Sequence, residues 1–487
     1  MTLLVRADAS SIVGVGHILR TSRLAWELAR YGAKVIYLSK NLPPPLALKL
    51  SQQGFKLHAI TPKDQYEDLE ITIAAALAHE ASLILVDHYA WDAKMQQELR
   101  RQTLARLWVV DDLFLPHAAD LIYNPNLYAT PTLCQEANPQ SYLLCGSAFA
   151  LLDPIYQELH HTPTYPKRIL LSLGGADPLG LTAMLIPELA PLLDEETICD
   201  VVVGPANPKK KEIEKIVASF GERHILHDAP STLAPLLSRA SLAIVGAGTT
   251  VMEALYFRLP LVAIEVATNQ QLLASYLRQL KGVECFEATT PAATIAKVAI
   301  KLLSSHQRPL PPPIATHHPV EEITRDPLAH WRLRPALKRD LLPLLALAND
   351  PEVRAQSLNS STITLEEHSR WFHQKLHDPK TRLYVADDLC GMLLGTVRFE
   401  QLLNEWRVSL ALAPTVRGRH FSLKLLRKAI ANLVNDVGRV TLVAEIKKSN
   451  LPSRALFKRA HFKQIGENDD LVFVKAVVDR SRDDYFF

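Results

Sequence analysis

Nowhere in the 487 residues do about eighteen apolar residues run without interruption, which argues against a bilayer-spanning helix. No dense block of lysine and arginine occurs either. The 54 basic side chains nearly balance 51 acidic ones, so the chain lacks the field that releases counterions from a nucleic acid. The nearest thing to a charge run, Lys209 to Lys215, alternates with Glu212 and Glu214 at helical spacing and reads as a solvated helix face. Cys134, Cys145, Cys199, Cys285 and Cys390 stand singly, with no CxxC and no histidine cluster at zinc spacing. They read as small core residues in a reducing compartment, and no metal is expected. Only a short apolar stretch precedes Arg6 and Asp8, so a soluble, cytoplasmic protein without signal peptide is expected.

What the chain does have is enough apolar material, 48% of its residues, to fill several cores. At about 100–200 residues per domain, three are expected. From residue 1 to about 160, strand-length apolar runs alternate with helical periodicity: Leu3 to Val5, Lys34 to Leu38, Ser82 to Asp87, Leu107 to Asp111 and Asp120 to Asn124. Such alternation implies a parallel sheet whose ligands sit at the carboxyl ends of its strands. The pattern restarts over 161–306, with strands at Arg168 to Leu173, Cys199 to Gly204, Ser241 to Gly246 and Leu261 to Glu265. Two doubly wound lobes in tandem can face one another across a ligand cleft. Residues 307–330 open on a proline run, Pro309 to Pro313, and read as a semi-rigid linker. Over 331–487 the strands cluster around one amphipathic helix, Ser422 to Leu433, which predicts a smaller α+β domain.

The motif richest in chemistry lies in the first twenty residues. The string Gly14-Val15-Gly16-His17 follows the first strand and opens a helix. Glycines allow close approach of backbone to ligand, and free N–H groups at a helix start favour an anion. A histidine beside that anion can take a proton from water. The same string is compatible with helix-start packing or a satisfied buried histidine. In the second lobe, Gly174-Gly175-Ala176-Asp177 and Gly246-Ala247-Gly248-Thr249-Thr250 each end a strand and open a helix, with Glu253 one turn inside the latter. Amides and hydroxyls there could hold a pyrophosphate while Glu253 accepts from a ribose diol, or Thr249 could merely cap the helix. Of Asp111 and Asp112, adjacent at a strand end and pointing apart, one caps or orients. Tyr89 reaches a substrate hydroxyl or packs in its loop.

Together RADASS and GVGH..R, then VDHY at Val86 to Tyr89, VDD at Val110 to Asp112, LLSLGGADP, GAGTT..E and Asn269-Gln270 resemble the PseG family of nucleotide-sugar hydrolases, over about residues 1 to 305. The resemblance implies the two-lobed fold of GT-B glycosyltransferases and release of UDP from UDP-2,4-diacetamido-2,4,6-trideoxy-β-L-altropyranose in pseudaminic acid biosynthesis. It implies that His17 orients and deprotonates the water that attacks the anomeric carbon with inversion, and that Tyr89 and Asn269 line the sugar site. Arg6, Asp8, Gly14, Gly16 and Arg20 in the first lobe would bind substrate. In the second lobe, Gly174, Gly175, Asp177, Gly248, Thr249, Thr250, Glu253 and Gln270 would do the same. Thr21, Ala176 and Ala247 depart from the usual Cys, Ser and Gly.

From about Arg332 to Val478, LRPALKRD, NDPEVR, the His368, Trp371 and Phe372 triplet and VRFE resemble a GNAT N-acetyltransferase of the PseH kind. That implies transfer of acetyl from acetyl-CoA to the 4-amino group of the UDP-sugar precursor, the step before hydrolysis, in one bifunctional chain. Arg417, Gly418, Arg419, His420, Phe421 and Ser422 would form the diphosphate loop, with Asn450 and Ser453 on a neighbouring helix. His420 and Ser422 replace glycines of the usual loop. Phe457 stands where a tyrosine often protonates the leaving thiolate, and it has no proton to give. The alternative is a GT-B glycosyltransferase or sugar-nucleotide epimerase carrying a non-catalytic module that binds acyl-CoA. Expected partners are a UDP-sugar and acetyl-CoA, with no nucleic acid and no membrane.

Overall fold

The computed structural model describes residues 1–9, 16–204, 207–305 and 307–479. The first lobe carries seven strands: β1 (Thr2–Ala7), β2 (Lys34–Ser39), β3 (Lys56–Ala59), β4 (Leu83–Asp87), β5 (Arg106–Val110), β6 (Leu121–Asn124) and β7 (Tyr142–Cys145). They form one parallel sheet in the order β3-β2-β1-β4-β5-β6-β7. Leu3, Leu4 and Val5 are buried on both faces, as an unbroken apolar run in a helix-covered sheet requires. The second lobe repeats the design with β8 (Lys167–Ser172), β9 (Thr197–Val203), β10 (His224–Asp228), β11 (Leu242–Gly246), β12 (Leu261–Glu265) and β13 (Val283–Glu287). Its parallel order is β10-β9-β8-β11-β12-β13. This is the expected pair of doubly wound lobes.

The tail contains β14 (Arg332–Pro335), β15 (Thr381–Asp387), β16 (Leu393–Leu402), β17 (Glu405–Leu412), β18 (Val440–Lys447), β19 (Lys463–Glu467) and β20 (Leu471–Val478). Its sheet is antiparallel except for β17 against β18. Helix Phe421–Val437 buries Leu425, Leu426, Ala429, Ile430 and Leu433 against it.

Two expectations are corrected. Residues 307–330, expected as a semi-rigid linker between domains, pack into both lobes: Ile314 sits in the core of the second, and helix Pro319–Arg325 buries Val320 and Ile323 in that of the first. His318 Nε2 also meets Glu27 Oε2 at 3.0 Å on helix Gly16–Arg30. A proline-rich composition reports missing amide donors, not missing contacts. Cys134 and Cys145 are not single core thiols but a disulfide, because helix Pro131–Ala137 folds back on β7. Cys199, Cys285 and Cys390 remain free.

The tail docks on the amino-terminal ends of the first lobe's strands. In the turn between β15 and β16, Leu389 and Cys390 enter the core that holds Leu3, Leu83, Leu85 and Trp108, and Trp108 Nε1 donates to the Leu389 carbonyl at 2.9 Å. Gly391 has φ +76°, and a Cβ there would meet the Ser82 carbonyl oxygen at 2.7 Å. Asp387 accepts from Arg106 Nε at 3.0 Å, Arg332 Nε at 2.9 Å and Arg334 Nε at 2.7 Å. Arg339 donates to the Ala81 and Thr103 carbonyls at 3.0 and 2.9 Å.

Asp388, next in line, is buried without a cation of its own and accepts from the amides of Cys390 and Met392. Burial, then the neighbouring Asp387 charge, push its carboxyl up to about 6. The folded protein therefore keeps this proton where the unfolded chain has lost it, and ionised Asp388 costs stability at neutral pH. Asp388→Asn keeps the acceptor and is expected to raise stability at pH 7.5 by about 1–3 kcal/mol. In denaturant titrations across pH, that gain should shrink as pH falls through 6 and vanish below about 4.

Candidate functional site

The carboxyl ends of β1, β4 and β5 converge on the amino end of helix Gly16–Arg30. Asp87, the last residue of β4, stands 2.5 Å from His17 Nδ1. Arg20, one turn along the helix from His17, grips the same carboxylate at 2.6 Å through Nε and through Nη2. Burial alone would raise the Asp87 carboxyl, but Arg20 and then His17 hold it below the usual range. Asp87 is thus a fixed anion that takes one imidazole nitrogen and leaves the other for a proton from water. Thr21 Oγ1 donates to the His17 carbonyl at 2.6 Å, and Tyr37 donates to Thr21, which fixes the first helical turn from below.

Arg20 Nη1 also reaches Asp112 Oδ2 at 2.8 Å, where the Tyr89 hydroxyl donates at 2.9 Å. The Tyr89 ring meets the His17 ring edge-on, with centroids 4.8 Å apart. Burial and then the Asp112 charge push the Tyr89 phenol up to about 12, so the hydroxyl stays protonated. Asn269 Nδ2, from the second lobe, donates to the Tyr89 oxygen at 3.4 Å. A second bridge between the lobes joins Arg23 to Glu253 at 3.1 Å. His17, Arg20, Tyr89 and Asn269 are therefore brought together.

Other expected ligands have structural duties. Arg6 is wholly buried and saturated by Asp8 and Asp68. It anchors Asp8 at the end of β1. Burial is outweighed at Asp8 by His88 and Arg6, which hold its carboxyl far below the usual range. Asp177 caps helix Leu181–Leu189 through the amides of Leu181 and Thr182, so its carboxylate already fills that helix start. Glu253 is buried, which pushes its carboxyl up despite Arg23, its partner from the first lobe. Gly14 lies outside the described residues, while Gly16 is the first residue of its helix.

The turn after β11 leaves its helix start without a side-chain cap, whereas the helix start after β8 is taken by Asp177. Gly174 has φ +92°. Helix Thr249–Tyr256 starts at Gly248 with no side-chain cap, so Thr249 is not the cap and the amides of Thr249 and Thr250 have no side chain laid over them. Gln270 Oε1 accepts from Val266 N at 2.8 Å, and its Nε2 lies 3.8 Å from where a Cβ on Gly248 would stand. Sequence reasoning missed Gly204, which ends beside the Gly-Gly turn: a Cβ there would lie 2.5 Å from Gly175 Cα. Overpacking of this kind costs about 1–3 kcal/mol. Gly204→Ala is expected to displace the turn and raise KM for a nucleotide sugar more than it lowers kcat, measured by initial rates.

In the tail, β17 and β18 pair only at Trp406 with Leu442 and Arg407 with Val443, and then diverge. The opening between Val408–Leu412 and Ala444–Lys447 leaves strand edges free to bond an extended amide chain. Gly418 and His420 both take the left-handed conformation ahead of helix Phe421–Val437, so His420 keeps the turn of the glycine it replaces. Arg417 is held by Asp350 at 2.6 Å and Arg419 by Asp326 at 2.6 Å. Ser422 lies in the first helical turn. Phe421 is core, packed edge-on against Trp331, and contributes backbone alone to that loop. Asn450 caps helix Leu451–Arg459 by accepting the Ser453 amide at 3.0 Å. Phe457 is buried against Phe462, and His368 packs with Trp371 and Phe372.

Residues 330–463 match the family described as an acetyltransferase (GNAT) domain. The front is 24% identical over 290 residues to the UDP-2,4-diacetamido-2,4,6-trideoxy-beta-L-altropyranose hydrolase of Campylobacter jejuni, covering 58% of this chain and 98% of that one. The chain is PseG-like at the front and a GNAT domain at the back. Similarity across both parts extends to an uncharacterised protein of Methanocaldococcus jannaschii, 20% identical over 95% of this chain and 97% of that one. The spore coat polysaccharide biosynthesis protein SpsG of Bacillus subtilis is 20% identical to the PseG-like part, over 55% of this chain and 78% of its own. Among the described residues, no three His, Cys, Asp or Glu stand close enough to hold a metal, and no helix is long and apolar enough to cross a membrane.

Proposed function

We propose that the PseG-like part hydrolyses UDP-2,4-diacetamido-2,4,6-trideoxy-β-L-altropyranose to UDP and free sugar, and that the GNAT domain first acetylates the 4-amino group of the UDP-sugar precursor. The observation that carries the first half is the His17–Asp87 pair at the cleft, held by Arg20. A water oxygen attacks the anomeric carbon while its proton passes to the imidazole. The bond from that carbon to the diphosphate oxygen breaks, and its electron pair leaves with UDP. Attack from the face opposite the leaving group inverts the centre. The amides at Gly174-Gly175 and at Gly248 to Thr250 would hold the departing diphosphate. Asn269 and Tyr89 would close the second lobe over the sugar.

In the tail, the diverging strands would take the pantetheine arm of acetyl-CoA and the Arg417 to Ser422 loop its diphosphate. The sugar amine would attack the thioester carbonyl, forming the C–N bond as the C–S bond breaks and losing one proton to water. Phe457 has no proton for the departing thiolate, so water would supply that one too. The test is to mix the protein with a UDP-4-amino sugar and acetyl-CoA and follow products by nuclear magnetic resonance. Free diacetamido sugar, UDP and coenzyme A are expected, each sugar carrying one new acetyl group. UDP release from pre-acetylated substrate without any coenzyme A would confine chemistry to the front. The buried Phe457 favours that second reading, in which the tail binds acyl-CoA without turnover; calorimetry beside a thiol-release assay separates the two.

Asp112 serves as a positioning residue in this scheme, because one carboxylate oxygen receives both Arg20 and Tyr89. Asp112→Asn is expected to lower kcat by about ten-fold, the scale of losing one charge-assisted hydrogen bond, with KM little changed. It should also let the Tyr89 phenol titrate below about 12, since the anion beside it is gone. The difference absorbance spectrum against Tyr89→Phe reads that shift.

A further inference from the structure

The tail and the cleft occupy opposite ends of the same parallel sheet. His17, Asp87, Asp112 and Tyr89 gather where β1, β4 and β5 end. The tail grips the residues where β4 and β5 begin: Ser82 beside Gly391, Leu104 and Ala105 under Arg332, and Arg106 on Asp387. Ser82 immediately precedes β4 and Asp87 ends it, roughly 16 Å apart at ~3.3 Å per residue. The space between is closed, since Leu3, Leu83, Leu85 and Trp108 are fully buried and Leu389 plugs the base below them.

Nor can the tail swing round to meet the cleft. The interface holds Arg106, Arg334, Asp340 and Asp387 with almost no exposure, in mutually satisfied ion pairs. The chain leading to it is packed at Ile314, Val320 and Ile323. A flexible tether raises the concentration of one site's product at the other by letting the modules search each other. This connection does not search.

We infer that the sugar nucleotide acetylated by the tail is released into solvent and reaches the hydrolytic cleft from the bulk. This rests on the two-step reading given under Proposed function. The fusion then secures equal production and a shared core, while each site works on the common solution pool. It follows that pre-acetylated substrate from any source competes on equal terms with material made on the same molecule.

Isotope dilution with the unaltered protein tests this. The protein is given the UDP-4-amino sugar and acetyl-CoA labelled in its acetyl group, together with a large excess of unlabelled, fully acetylated UDP-sugar. The first free sugar formed is expected to carry label reduced by the full dilution factor, matching the UDP-sugar pool at that moment. Free sugar with label above that of the pool would overturn the inference, because product would have passed between sites without mixing. The reading beneath it fails in visibly different ways. Absence of label from UDP-sugar and free sugar alike removes the acetyl transfer, and survival of the unlabelled pool removes the hydrolysis; either outcome takes the inference with it.

Discussion

His17→Ala and His17→Asn are expected to leave UDP affinity nearly intact while turnover falls about 10²-fold or more, the scale of losing a general base. Affinity survives because the diphosphate would rest on backbone amides of the second lobe, around Gly174 and at the uncapped start of helix Thr249–Tyr256, and not on the imidazole. Turnover falls because no other side chain on helix Gly16–Arg30 at the cleft can accept a proton: Arg20 is a cation whose guanidinium, despite burial, is held above its ordinary value by Asp87 and Asp112. Calorimetry with UDP and initial rates of UDP release check the two halves separately. Undiminished turnover would exclude His17 from the chemistry, and lost UDP binding would recast it as a positioning group. Asp87→Asn belongs in the same series. It removes the anion that complements a protonated ring, so a smaller loss in the same direction is expected.

Asp387→Ala is expected to cost about 3–5 kcal/mol of stability, the penalty for stranding buried charges. Its carboxylate collects Arg106 from the first lobe and Arg332 and Arg334 from the tail, and among the described residues no other anion pairs with Arg332. Asp120 and Asp340 would continue to hold Arg106 and Arg334. Burial by itself would raise the Asp387 carboxyl; Arg332, Arg106 and Arg334 together hold it below the usual range. A folded-state value below the unfolded one means that the contribution is complete at pH above about 4 and is lost as pH falls below it. Denaturant titration of full-length protein at neutral and acid pH measures both. Because Trp108 bonds the Leu389 carbonyl across this interface, its fluorescence should follow the loss. A variant as stable as the parent would show that the tail is not held by this network.

The strands read from the sequence include those buried on two faces, such as β1, β4 and β11, where apolar residues run without a break, and the half-buried β16, β17 and β18 of the tail. The strands that went unread, β3, β7, β10, β13, β14, β19 and β20, include the edges of all three sheets. β3 exposes Lys56 and Ala59, and all of β19 is exposed, so neither carries a strong apolar signal. His17 was legible as a candidate because a histidine after a Gly-rich turn at a helix start stands beside a site for an anion. Its partner Asp87 was visible only as a strand-end residue. Seventy positions separate the two, and only the crossover from β1 to β4 makes them neighbours. Arg6 and Asp177 stood inside motifs that suggested ligand contact, and the buried ion pair and helix cap that the fold gives them were not legible there.

From residue order alone came the alternation of strands and helices, the restart near residue 161, the change of character beyond Trp331 and the position of the candidate base. These follow from local periodicity and from backbone preferences that act over a few residues. The tertiary structure alone decided which carboxylate holds the imidazole, that Cys134 meets Cys145, that the proline-rich segment packs, and that the tail seals the far end of the first sheet. Each depends on groups distant in the chain sharing one low-dielectric space, where an unpaired charge or an open cavity is costly enough to select a single arrangement.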